Sequence, residues 1–260
     1  MNSDRIDRAL SVLLNLSQHP DGRTLKHLSE DLGLPMSSAH DLLQAMVEID
    51  AVRTIGPRNY ALGTKAIALS LTIVDSISLR NIARQYLAAL SSAISENVYL
   101  GVRTGDTVSY VDRFEASQVL SVVMQLGSER PLHASSVGKL MAAYNPDLEQ
   151  KVLSASTLHA YTPFTKTNRE ELRREYARIR EQGFSMSDGE SVEGIVGLST
   201  PIWDHTGTAV AAVHVSAPRG RLAEDRRPFV IDQLRQAGNG ISTQLGADLQ
   251  DRGARLSAEA

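Results

Sequence analysis

Two amphipathic runs separated by Gly33-Leu34-Pro35 constrain this chain more than any other feature. Leu25, Leu28 and Leu32 recur at helical spacing before the break, with Thr24 in the N-cap position. Ala39, Leu42, Leu43, Met46 and Val47 recur after it, in a helix that opens at Pro35 or Met36. Two helices of similar length around a glycine-containing turn have the spacing of a helix-turn-helix. Upstream, Ile6, Ala9, Leu10, Leu13 and Leu14, with Leu16, form the apolar face of a further helix, which His19-Pro20-Asp21-Gly22 stops. Downstream, Val52–Ile55 and Asn59–Leu62 flank Gly56-Pro57-Arg58, a hairpin signal. Three helices and a hairpin make the winged variant of the motif.

Such a motif sets its third helix in the major groove of double-stranded DNA. On that helix Ser37, Ser38, His40, Asp41 and Gln44 are the polar outer residues, and Thr24 stands at the start of the helix before it. Charge argues against an easy fit. Residues 1–72 hold seven basic residues (Arg5, Arg8, Arg23, Lys26, Arg53, Arg58, Lys65) against eight acids (Asp4, Asp7, Asp21, Glu30, Asp31, Asp41, Glu48, Asp50), a balance of -1. Phosphate contacts would have to come from Arg53 and Arg58 on the wing, from Arg23 and Lys26, and from backbone amides at helix N-termini. The bland alternative is a helical module that serves only dimerisation.

The whole chain has 260 residues, 42% hydrophobic and 22% charged, with 27 basic residues against 30 acidic ones. That composition excludes a disordered or fibrous chain and allows one or two domains. The absence of cysteine removes disulfides, thiolate zinc sites and cysteine nucleophiles. The polar start, Met1 to Arg8, has no apolar core behind it, so a secretion signal is not expected. The longest apolar stretch, Ala66 to Val74, falls short of the roughly 20 residues that span a bilayer, so a cytoplasmic protein without a membrane partner is expected.

Beyond the hairpin, Ile67, Leu71 and Val74, then Ile82, Tyr86, Leu87, Leu90 and Ile94, predict a linker helix and the first helix of a second domain. Strands are expected at Val98–Val102, Val108–Asp112, Val119–Leu126, Phe184–Ser187, Ile195–Trp203 and Ala209–Ala217. Helices are expected at Ser135–Tyr144, at Arg169–Gln182 between an Asn168 cap and Gly183, and from about Asp225 to Leu249. This order suits an antiparallel sheet with packed helices, an α+β fold.

Catalytic signatures are weak. Ser136-Val137-Gly138-Lys139 matches S-x-x-K, but Ser187-Asp188-Gly189 and Lys166-Thr167-Asn168 only approximate the companion motifs of serine β-lactamases and stand in swapped order. No nucleophile–base pair is legible, so no catalytic residue is assigned. His133, His159, His205 and His214 lack metal-ligand spacing, so neither a metal nor a cofactor is expected. Arg219, Arg221, Arg226 and Arg227, offset by Glu224 and Asp225, read as a solvated loop.

Several phrases in order give the chain a resemblance to the isocitrate lyase regulator (IclR) family of bacterial transcription factors. They are Asp7–Leu13, Leu28–Pro35 with Ser37–His40 and Leu42-Leu43, and Tyr60-Ala61-Leu62-Gly63 in the front part. Arg130-Pro131-Leu132-His133-Ala134-Ser135-Ser136-Val137-Gly138-Lys139 is the most specific. Tyr161–Thr165, Ile179–Phe184, Pro201-Ile202 and Val213–Pro218 follow. Met36 and Asp41 stand where the family usually has Lys and Arg, so operator contacts do not carry over directly.

The resemblance implies a winged helix-turn-helix head over residues 1–63, a linker helix over 64–78, a GAF-like effector-binding domain over 79–250 and a tail over 251–260. It implies a repressor or activator that binds operator DNA and a small-molecule effector as a homodimer or a tetramer built as a dimer of dimers. Carried over by position, the effector pocket would use Val122, Met124, Ser136, Val137, Ser187, Ile195, Gly197, His214 and Ser216. His214 and Ser216 share one strand face, because side chains alternate with period two. The amides of Ser135, Ser136 and Val137 at a helix start suit a carboxylate, and Gly197 is expected to leave room for ligand. The other readings are a small-molecule enzyme and a ligand sensor without sequence-specific DNA binding.

Overall fold

The computed structural model describes residues 2–76, 79–116 and 123–249. The chain divides into two compact units, Met1–Ser78 and Leu79–Ala260. In the first, α1 (Asn2–Ser17), β1 (Arg23–Thr24), α2 (Leu25–Asp31) and α3 (Met36–Glu48) precede β2 (Val52–Ile55), β3 (Asn59–Leu62) and α4 (Thr64–Ser76). The strands pair antiparallel in the order β1-β3-β2. Thr24 caps α2, its hydroxyl accepting from the His27 amide at 3.2 Å. Between α2 and α3, Gly33 has φ +61°, a conformation that a β-carbon disfavours, which is why glycine stands at this turn.

The core of this unit is Val12, Leu16, Leu28, Leu42, Leu43, Met46 and Val52. Helix α1 departs from the expected pattern. Val12 and Leu16 are buried, while Ile6, Leu10 and Leu14 are 61%, 55% and 65% exposed. Apolar residues run along two sides of this helix, and one unit covers only one of them.

The second unit runs α5 (Leu79–Ile94), β4 (Asn97–Thr104), β5 (Thr107–Phe114), α6 (Ser136–Tyr144), α7 (Pro146–Ser154), α8 (Arg169–Gln182), β6 (Ser185–Asp188), β7 (Ile195–Trp203), β8 (Ala209–Pro218) and α9 (Arg227–Gln244). Its strands form one antiparallel sheet ordered β5-β4-β8-β7-β6. Val98, Leu100, Val196, Leu198, Val213 and Val215 pack with Leu87 and Leu90 of α5 and Val230 and Leu234 of α9. Tyr99, Tyr110 and Ala212 pack instead with Val137, Leu140 and Met141 of α6 and with residues of α7 and α8. A sheet covered on both faces has little need for polar alternation, so β8 reads as an almost unbroken apolar run.

Helix α8 is bounded as expected, by the Asn168 side chain accepting from the Glu170 and Glu171 amides and by Gly183 at φ +74°. Helix α7 was not foreseen, although Pro146 at its start with Asp147 and Glu149 in its first turn is a helix-opening pattern. Residues 119–122 of the expected strand lie outside the described residues, and 123–126 are irregular. Helix α9 ends at Gln244, short of Leu249, and Gly246 at φ +79° follows its last turn.

The arginine-rich stretch is not a solvated loop. Arg221 grips the buried Glu96 carboxylate with two bonds of 3.0 and 2.8 Å, and Arg226 adds a third at 3.3 Å. Arg219 and Arg227 hold Asp188 at 2.7 and 2.8 Å. These bonds tie the end of α5, the end of β6 and the start of α9 together. Among the described residues, no helix is long and apolar enough to cross a membrane.

Candidate functional site

Two surfaces carry polar side chains that the fold itself does not use, one in each unit. In the first unit, Ser37, Ser38, His40, Asp41 and Gln44 are exposed on α3, while Ala39, Leu42, Leu43 and Met46 face the core. The 3.6-residue repeat divides the helix into these two faces. His40 Nδ1 lies 3.6 Å from the Asp41 carboxylate. Arg53 and Arg58 are exposed on the hairpin, and Arg53 Nε donates to the Leu62 carbonyl at 3.2 Å.

Two of the expected surface groups have other work. The Thr24 hydroxyl is engaged as the α2 cap. Arg23 is half-buried and paired with Asp31, whose carboxyl is held below its ordinary value by that bond first and by the Asn15 amide second. Arg23 is therefore withdrawn from the cations expected to meet phosphate. Lys26 makes only an exposed pair with Glu30 at 3.8 Å, which binds it weakly.

In the second unit, a narrow cleft lies on the α6 side of the sheet, with about 290 Å³ of space when the solvent at its open mouth is included. Its wall is Tyr110 of β5, Met124 and Arg130 from the stretch before α6, Ser135 and Ser136 at the α6 start, and Ser187 of β6. Ser191 and Val192 of the β6–β7 loop, Ile195 and Gly197 of β7, and His214 and Ser216 of β8 complete it. Of the residues expected here, Met124, Ser136, Ser187, Ile195, Gly197, His214 and Ser216 come together. Val137 instead packs into the core, where a β-carbon on Gly101 would lie 2.5 Å from its methyl group. Val122 lies outside the described residues.

Alternation on β8 sends Val213 and Val215 to the opposite core and leaves His214 and Ser216 facing α6. His214 Nδ1 lies 3.0 Å from Ser136 Oγ and 3.0 Å from Ser199 Oγ, and the two hydroxyls are 2.9 Å apart. The imidazole stacks on Tyr110 with ring centres 5.1 Å apart. Gly197 does not leave empty space for ligand, as the sequence led us to expect. The position of its missing β-carbon is 2.9 Å from both His214 Cε1 and Ser136 Oγ, so the imidazole and the serine already fill that volume.

Ser136 and His214 have the spacing of a nucleophile and its base, which the sequence did not reveal. Their chemistry is different. Burial first, and the Arg130 charge second, push the His214 pKa down to about 3 against a weak opposing bond to the Leu198 backbone. An imidazole that resists a proton so strongly is a poor general base near neutrality, and a backbone carbonyl rather than a carboxylate supports it. Lys139 of the S-x-x-K match is fully buried and bonded to Glu175 and, at 2.6 Å, to Glu190. Lys166 completes this ion cluster through Glu175. The lysine is an internal strut.

The cavity wall holds one guanidinium and no carboxylate. The Arg130 guanidinium lies 5.5 Å above the Tyr110 ring, and its Nε is buried without a hydrogen bond. Ser216 Oγ is likewise buried and unpartnered. Tyr110, Arg130, Ser191, Val192 and the neighbouring Ser199 were missed by sequence reasoning. Their positions depend on the strand order and on which way the segment before α6 turns. Among the described residues, no group of three or more His, Asp or Glu side chains is placed to hold a metal.

Residues 71–243 match the family described as bacterial transcriptional regulator IclR C-terminal, and residues 5–56 match the IclR helix-turn-helix domain. The chain belongs to the IclR family. The HTH-type transcriptional regulator XynR of Escherichia coli is 28% identical over 244 residues, 93% of this chain and 96% of that one. The DNA-binding transcriptional repressor YiaJ of the same organism is 30% identical over 254 residues, 96% of this chain and 90% of its own. The crystal structure of Pseudomonas aeruginosa HmgR superposes with a TM-score of 0.66 at 25% identity, covering 96% of this chain and all of that one. This IclR-family chain is thus a transcriptional regulator and not an enzyme, with a helix-turn-helix DNA-binding domain and a C-terminal ligand-binding domain.

Proposed function

We propose that this chain is a one-component cytoplasmic regulator whose affinity for operator DNA changes when a small metabolite, an organic acid or aromatic catabolite, occupies the cavity on the α6 side of the sheet. The observation that carries the reading is the pairing of an exposed polar α3 face with a cavity lined by unsatisfied buried polar atoms. Residues 1–63 act as the DNA-binding head, 64–78 as the linker helix, 79–250 as the GAF-like effector domain and 251–260 as a tail. Ser37, Ser38, His40, Asp41 and Gln44 approach base edges, with Arg53 and Arg58 on phosphates. One short recognition helix gives little specificity, so paired half-sites and a homodimer, or a dimer of dimers, follow. The exposed stripe of Ile6, Leu10 and Leu14 supports an apolar contact between heads. Effector and DNA must alter each other's affinity by the same factor.

The test is binding of the purified protein to a fluorescent fragment spanning its own upstream intergenic region, with unlabelled competitor and a salt titration. Competitor-resistant binding that weakens as salt rises is the expected result. The second reading, a sensor without sequence-specific DNA binding, is favoured by Asp41, whose side chain is 81% exposed on a helix without lysine or arginine. Binding indistinguishable from that to random DNA at low salt would support it.

A further inference from the structure

We infer that Asp41 reads cytosine: its carboxylate accepts from the N4 amino group of one cytosine in each operator half-site, and it selects that base chiefly by rejecting the others. The inference rests on α3 being the helix that enters the major groove, and it adds which base that helix demands. At about 100° per residue, Ser37, Asp41 and Gln44 form a stripe opposite Ala39, Leu42, Leu43 and Met46, with Ser38 and His40 on its flanks. The core residues are buried, Leu43 to 1% exposure, so the helix is firmly seated and the stripe has a fixed direction. Asp41 stands in the middle of that stripe, its side chain 81% exposed.

Its carboxylate is uncommitted. Among the described residues its one ion-pair neighbour is His40, whose Nδ1 stays 3.6 Å away, beyond hydrogen-bond length. Helix α3 has no lysine or arginine to neutralise it.

The chemistry of the base edges then decides the match. Hydroxyl and amide side chains such as Ser37, Ser38 and Gln44 both donate and accept, so they tolerate more than one base. An ionised carboxylate only accepts. In the major groove guanine presents two acceptors, thymine an acceptor and a methyl group, and adenine a donor beside an acceptor. Cytosine alone presents a donor with no acceptor of its own. A carboxylate is therefore matched by cytosine, half-matched by adenine and repelled at guanine or thymine. Phosphates repel it as well, so Asp41 lowers affinity for random DNA while it sharpens the choice of base. The attraction comes from elsewhere, from Arg53 and Arg58 exposed on the hairpin.

The experiment selects duplexes from a random-sequence library with the full chain at low salt, using the wild type, Asp41→Ala and Asp41→Asn. Affinity is then measured for single-base variants of the selected site. The wild type should enrich a site with one required cytosine in each half, and changing it to thymine or guanine should weaken binding about 10- to 100-fold. Replacing each cytosine of the site in turn by 2-pyrimidinone, which lacks the amino group, should weaken binding at that same position. With Asp41→Ala the position should become degenerate while the rest of the site is kept. With Asp41→Asn the preference should move to adenine, whose N6 and N7 suit a side-chain amide. The inference is overturned if the wild type and Asp41→Ala select the same base at every position. It is equally overturned if the position that responds to residue 41 is not cytosine, or if 2-pyrimidinone binds like cytosine throughout. The 2-pyrimidinone scan on the wild type keeps the test open should a variant misfold. A selected site indifferent to residue 41 removes the cytosine contact and leaves the regulator, whereas no selected sequence with any of the three proteins overturns both.

Discussion

The α3 surface and the cavity differ in how their polar groups are treated. On α3, Ser37, Ser38, His40, Asp41 and Gln44 are exposed to water, which satisfies them. In the cavity, Arg130 Nε and Ser216 Oγ are enclosed and unmatched, and His214 is kept neutral by its surroundings. The exposed α3 groups therefore cost folding almost nothing, whereas the cavity holds its polar groups in tension with the stability of its own unit. Substitutions should divide accordingly: changes on α3 alter DNA affinity at constant stability, and changes around the cavity alter stability as well.

The largest effect is expected where the cavity's support is broken. Lys139→Met leaves Glu175 and Glu190 as buried carboxylates that share only the half-exposed Lys166. A loss of about 3–5 kcal/mol is expected from removing one partner of a buried pair. Urea unfolding should show it, and adding Glu175→Gln with Glu190→Gln should recover part of the loss.

Acid is the next lever. The folded His214 pKa of about 3 lies below its ordinary 6.5, so the unfolded chain binds more protons in between. The stability His214 contributes is complete above pH 6.5 and is lost as pH falls towards 3. At about 1.4 kcal/mol per unit, this is on the order of 5 kcal/mol. His214→Asn should flatten the melting temperature against pH in that window, and an unchanged slope would show that the imbalance between the two regions has another source.

Gly197→Ala comes third. Its new methyl meets His214 and Ser136 at 2.9 Å, so about 1–3 kcal/mol of overpacking is expected in thermal denaturation, with DNA binding by the head kept. On the head, Arg58→Ala should lower the salt slope of DNA binding by about one and Asp41→Asn should raise affinity at low salt, both within about 0.5 kcal/mol of wild-type stability. A large stability change in either would remove the contrast. The smallest effect sharpens it most: Ser216→Ala without ligand should be neutral or slightly stabilising, because it deletes a hydroxyl that has no partner.

The three head helices and their turn were legible because their signals are local. Leucines at i, i+3 and i+4, a threonine cap and a Gly-Leu-Pro break act within a few residues of one another. The face shared by His214 and Ser216 was legible for the same reason, through strand alternation. The double-sided pattern of α1 misled, because spacing alone does not say which apolar stripe finds a partner within its own unit. The arginines at 219–227 misled further. Their partners Glu96 and Asp188 lie far away in sequence, and nearby Glu224 and Asp225 looked like sufficient counterions.

Local order is written in short-range periodicity and capping, so the sequence by itself determined the helix-turn-helix, the antiparallel α+β character and the membership suggested by ordered phrases. Only the tertiary structure decided which polar groups remain unmatched. The strand order β5-β4-β8-β7 brings Tyr110 against His214, although 104 positions separate them by number. The stretch before α6 then delivers Arg130 over that pair of rings. Whether a polar atom is satisfied depends on every element that packs around it, and that sum exists only once the chain has folded.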